Sequence, residues 1–103
     1  MNKIVVDTNV VVSAHIKAKS PEDQILRRVF DQRSVLCITD PILTEYERVL
    51  NYPRLSLDPV RVGRSLDQLR RIGTRFHPPR RLSVCPDEDD NRFLECAEAA
   101  KAD

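Results

Sequence analysis

Three carboxylates, Asp7, Glu45 and Asp90, stand where an α/β chain would place reacting groups. Asp7 follows Ile4-Val5-Val6, a β-branched run suited to a strand buried on both faces of a parallel sheet. Glu45 falls one turn into the helix expected after a second apolar run, Val35-Leu36-Cys37-Ile38, and Asp90 opens a last helix beyond a proline-rich loop. Open parallel sheets bind ligands beyond the carboxyl ends of their strands, so acids distant in sequence can meet on one edge. Gathered carboxylates repel, and a proton is forced onto one of them unless a cation neutralises the group. Mg²⁺ does so with oxygen ligands at about 2.0–2.1 Å while keeping several waters. Such an ion, or Mn²⁺, polarises a phosphodiester and lowers the pKa of an attacking water, which is what a nuclease requires.

The other polar residues carry plainer readings. Asp40 and Asp58 each precede a proline and are expected as helix caps. Asp87, Glu88, Asp89 and Asp90 equally suit an acidic helix start that complements the macrodipole. Glu47, two residues after Glu45, is turned to a different helix face. Cys37, Cys85 and Cys96 are odd in number and lack CxxC spacing, so they are expected as buried small apolar residues, with no structural zinc. His15 and His77 have no partner spacing and are assigned no role.

The formal net charge of +1 hides a segregation of charge along the 103 residues. Arginines 54, 61, 64, 70, 71, 75, 80 and 81 face only Asp58 and Asp67, whereas acids 87, 88, 89, 90, 95, 98 and 103 face only Arg92 and Lys101. A basic stretch suits the phosphate backbone of a nucleic acid, and an acidic one suits a cation. Arg64, Arg70 and Arg71 are the candidates for RNA contact; the alternative is a solvated helix face. No apolar run is long enough to span a bilayer. Met1-Asn2-Lys3 leads straight into a strand without a secretory h-region, so a cytoplasmic setting is expected.

The elements that must position these groups follow from local chemistry. Val10 to Ile16 continues as a helical turn after the first strand. Ser20-Pro21-Glu22-Asp23 announces a helix with Ser20 as cap, ending near Gln32, with Ile25, Leu26, Val29 and Phe30 inward. Asp40-Pro41 opens the next helix to about Leu50. Asp58-Pro59 opens a third, closed by Gly73 as a C′ glycine. Thr74-Arg75-Phe76 is a weak strand, and the last helix turns Phe93, Leu94, Ala97 and Ala100 inward. The resulting order, β-α-β-α-α-β-α, is one α/β domain with a parallel sheet.

Three segments carry a resemblance. Val5-Val6-Asp7-Thr8-Asn9-Val10, Thr39-Asp40-Pro41-Ile42-Leu43-Thr44-Glu45 and Asp87-Glu88-Asp89-Asp90-Asn91-Arg92-Phe93-Leu94-Glu95-Cys96-Ala97 resemble a PIN-domain protein, in particular the toxin nucleases of prokaryotic toxin–antitoxin pairs. The resemblance implies a three-layer α/β/α fold and a Mg²⁺- or Mn²⁺-dependent ribonuclease that needs no covalent intermediate. It matches Asp7, Glu45 and Asp90 to the family's first three acids, and Thr8 and Asn9 to polar residues supporting the first; Asp87, a nearby carboxylate, is a secondary candidate for holding the metal. It also implies a cognate antitoxin and a homodimer. The family continues with a strand, a Thr-Gly-Asn or Thr-Gly-Asp turn and a helix, so a C-terminally incomplete domain is expected here. Two rivals follow from the residues. One is a PIN-like module that binds RNA or an antitoxin without cutting. The other, a phosphatase or phosphoacceptor domain with Asp7 as nucleophile, is disfavoured by Thr8 and Asn9 where paired acids would be needed.

Overall fold

The computed structural model describes residues 2–79 and 81–102. Arg80 and Asp103, counted above in the basic and acidic segments, lie outside them. Among the described residues the order is β1 (Asn2–Ile4), α1 (Thr8–Ile16), α2 (Pro21–Phe30), β2 (Ser34–Ile38), α3 (Asp40–Leu50), a 3₁₀ turn (Pro53–Leu55), α4 (Pro59–Ile72), β3 (Thr74–Arg75) and α5 (Glu88–Ala100). The sheet is parallel throughout, in the order β1-β2-β3, with Ile4 opposite Leu36 and Cys37 opposite Thr74. This is the expected α/β architecture.

β2 explains why the helices lie where they do. Its side chains alternate between faces. Leu36 points into a cluster with Val11 of α1, Leu26 and Val29 of α2, Tyr46 of α3 and Leu69 of α4. Cys37 points the other way and lies close enough to Cys96 of α5 to raise its pKa. A strand covered on both faces reads as a continuous apolar run, and this one does. No helix is long and apolar enough to cross a membrane among the described residues.

β1 differs from expectation. The regular strand stops at Ile4, and Asn2 and Lys3 are exposed; among the described residues β1 pairs with β2 and borders the sheet. Val6 is buried, but it lies beyond the strand in the turn to α1. The apolar segment after Asp7 forms a full helix rather than a single turn.

The capping chemistry holds at Ser20 and Asp58, whose side chains accept from Asp23 N and Val60 N. At α3 the cap is one residue earlier than expected. Thr39 Oγ1 accepts from Ile42 N at 3.3 Å, while Asp40 is exposed and pairs with Arg75 at 3.3 Å. Gly73 closes α4, though not in the left-handed conformation of a C′ glycine: its φ is −70°. A Cβ there would stand 2.6 Å from Ile38 Cδ1 and 2.8 Å from the Leu69 carbonyl, so close approach to both β2 and the last turn of α4 is what demands glycine.

α5 is rotated relative to expectation. Asn91, Glu95, Cys96 and Ala100 are buried, Phe93 packs partly against the core, and Leu94 is exposed. The cause is a set of polar ties to the preceding loop. Asn91 accepts from Cys85 N at 2.7 Å and donates to Cys85 O at 3.0 Å. Glu95 accepts from Leu82 N at 2.6 Å, and Arg92 donates to Leu82 O at 3.0 Å. Asn91, Glu95 and Arg92 each have a backbone partner, which makes their burial tolerable, although Arg92 Nε is buried without one. Cys37 and Cys96 are buried as expected, but Cys85 is only partly so.

Candidate metal centre

Glu45 is held from three sides. It projects from the second turn of α3, and one of its oxygens, Oε2, accepts from the Thr8 hydroxyl at the start of α1. Its other oxygen, Oε1, lies 3.5 Å from Arg48 Nη2. The same guanidinium nitrogen reaches Asp89 Oδ2 at 3.1 Å, in the first turn of α5. Glu45 and Asp89 stand close enough for each to bear on the other's proton affinity. Burial pushes the Glu45 carboxyl above its ordinary range; the Thr8 hydroxyl opposes this, and Asp89 adds to it. Its contact with Glu45 foremost holds Asp89 below its ordinary range, against partial burial and with help from Arg48.

These residues line a cleft of about 500 Å³ together with Asp40, Pro41, Thr44, Arg81, Glu88 and Arg92. Its arginines are unlike one another. Arg92 is almost wholly buried and pinned to Glu95 at 3.0 Å, whereas Arg48 is half exposed.

Asp7 caps α1, with Oδ1 accepting from Asn9 N at 2.8 Å, so it has a capping role the sequence did not signal. Asp7 does not line the cleft. It borders a separate, mainly apolar groove of about 420 Å³ formed by β1, Val5, Val6, Val10, Ile25 and Arg28. Two links tie it to Glu45. Thr8, its neighbour, donates to Glu45, and Tyr46 donates to the carbonyl of Val6 just before it. Burial foremost, and then nearby groups that include the Asp7 and Glu45 carboxylates, raises the Tyr46 phenol.

The structure places Asp89 beside Glu45, both within reach of Arg48 Nη2. Asp90 is exposed one position on, and Asp87 caps α5 by accepting from Asp89 N at 2.9 Å. Asn9 acts through its backbone N–H. Arg64, Arg70 and Arg71 lie on α4 and none lines the cleft. Arg70 is engaged by Glu47 at 2.9 Å and Asp67 at 3.3 Å. Sequence reasoning passed over Asp89 and Arg48; the available signal was the one-turn spacing of Arg48 from Glu45.

Two hard carboxylates beside one another, one with raised proton affinity, form a donor set that suits Mg²⁺ or Mn²⁺, which need only one or two carboxylates and complete their shell with water. No three carboxylate, imidazole or thiol groups converge into a preformed cage among the described residues.

Open parallel α/β sheets bind their ligands beyond the carboxyl ends of the strands. Comparison with known proteins makes this specific: the chain matches the PIN domain over residues 3–103, and it belongs to the PIN-domain family. It is also 31% identical over 103 residues to the uncharacterized protein MJ1680 of Methanocaldococcus jannaschii. That match takes in 97% of this chain but 66% of the relative, so the chain spans just under two thirds of the relative's length. No solved structure matches it significantly. The family is one of nuclease-type folds, which generally use divalent metals and act on nucleic acid.

Proposed function

We infer that this chain is a metal-dependent ribonuclease, and the observation that carries the reading is the Glu45–Asp89 carboxylate pair under Arg48. Glu45 and Asp89 would hold Mg²⁺ or Mn²⁺. Asp7 is the third candidate ligand, and Asp90 and Asp87 are further candidates at the same helix start. When bound, such an ion polarises the phosphodiester and lowers the pKa of the attacking water. Thr8 fixes the orientation of Glu45, and Asn9 that of Asp7. Arg81 at the cleft, and Arg64 and Arg71 on α4, supply charge for the RNA backbone, and Arg70 joins them once released from Glu47.

The biological setting that fits the family is a cytoplasmic toxin with a cognate antitoxin, acting as a homodimer. Cleavage of RNA with Mg²⁺ or Mn²⁺ tests the chemistry. Asp7→Asn, Glu45→Gln and Asp89→Asn are each expected to reduce the rate at least a hundredfold, and Asp90→Asn shows whether that acid shares the role. Undiminished metal-dependent cleavage in all four variants would sink the assignment.

A second reading is a PIN-like module that binds RNA or an antitoxin without cutting. It is favoured by Arg48, which already neutralises the acid pair without an ion. Calorimetric titration with Mn²⁺ separates the two, because a pure binding module need take up no ion at the cleft.

A further inference from the structure

Arg48 presents one nitrogen to two carboxylates from different parts of the chain. Nη2 stands 3.1 Å from Asp89 and 3.5 Å from Glu45, the two carboxylates that would hold a divalent ion. The two acids are anchored independently of it. Glu45 is tied by the Thr8 hydroxyl, and Asp89 donates its backbone N–H to the Asp87 side chain at the start of α5. Arg48 itself is 54% exposed, so its side chain can swing into water without leaving a buried gap. Arg92, in the same cleft, is 12% exposed and clamped by Leu82 O, Glu95 and Glu88, so it cannot leave in this way.

We propose that Arg48 is an internal cation that occupies the place of the metal ion, holds the Glu45–Asp89 pair together in the metal-free protein, and is displaced when a divalent ion binds. The proposal rests on the metal-dependent reading of the cleft. Two like charges at this distance need a positive partner. A singly charged, half-exposed guanidinium supplies one through ion pairs that are individually weak. A divalent ion supplies twice the charge at shorter range and prevails. Arg48 thereby sets the metal concentration at which the site fills. If the bridged form holds about nine-tenths of the metal-free population, apparent affinity is lowered about tenfold.

The experiment is calorimetric titration of the full chain with MnCl₂, without RNA, for wild type, Arg48→Met and Arg48→Lys, with thermal unfolding of each at zero and saturating Mn²⁺. Arg48→Met is expected to bind Mn²⁺ about tenfold more tightly. It should melt below wild type without metal and gain more from Mn²⁺. Arg48→Lys keeps the competing charge and should stay near wild type. Equal affinity in all three proteins overturns the proposal while leaving the metal site standing, and weaker binding in Arg48→Met overturns it by making Arg48 an organiser of the ligands. No uptake by any of the three removes the metal-dependent reading, and this proposal with it.

Discussion

Thr8 is where α1 and α3 meet chemically. Its hydroxyl is buried and spends its proton on Glu45, so the orientation of that carboxylate depends on a residue that touches neither metal nor substrate. Outer partners of this kind commonly govern metal affinity by 10–100-fold. Thr8→Ala should therefore weaken Mn²⁺ binding by about that factor, with little change in the far-UV spectrum, whereas Thr8→Ser should restore most of it. Equal affinities for the alanine and serine variants would mean that the hydroxyl positions nothing. At this scale the α3 cap falls one residue from its expected place, with Thr39 serving where Asp40 is expected, and Asp89, one position before Asp90, stands beside Glu45. Four consecutive acidic residues at positions 87–90 look alike in sequence. Which one meets α3 is decided by the rotation of α5, and that is a tertiary quantity.

The helices show why that rotation was hidden. Helix starts built on Ser20-Pro21 and Asp58-Pro59 were legible because capping is local. α5 was not, since its buried face includes Asn91 and Glu95, polar residues that become core only when a loop several residues upstream supplies their partners. Leu94, apolar and assigned inward, is left at the surface as a result. α2 offers a test in which the sign of the effect is fixed. Asp23 Oδ2 accepts from Lys19 N at 2.9 Å and pairs with Arg27 at 3.1 Å, and these contacts hold its carboxyl below the ordinary value of 3.8. A depressed acid stabilises the fold above its unfolded pKa, and that contribution is lost as pH falls through the folded value. Asp23→Asn should therefore melt below wild type at neutral pH, with the gap closing as pH drops below 3.8. A gap that stays constant down to strongly acidic pH would show that the charge is irrelevant.

In the molecule as a whole, the cleft is assembled by docking α5 against α3, and the loop before α5 is what fixes that docking. Asn91 is fully buried, with its amide bonded to both backbone groups of Cys85. Asn91→Ala would leave those groups unsatisfied, at a cost of about 1–3 kcal/mol. The expected signature is a lower denaturation midpoint together with faster thiol labelling of Cys85. Cys37 and Cys96 should stay protected, being buried, with the Cys96 thiol pushed up to about 11 by burial and by Cys37. Labelling of all three at one rate would show instead that the domain opens as a single unit.

α3 carries Glu45 and Glu47 two residues apart, which sets them about 200° apart around the helix axis. Each is engaged by arginine: Glu45 by Arg48 within its own helix, and Glu47 by Arg70 from α4. The helix thus works as a partition between two charge systems. Substitutions on one side leave the ion pairs of the other intact, so the hold on a cation and the grip on a polyanion are free to diverge under selection. A lineage could retune its target through α4 while inheriting its chemistry unchanged.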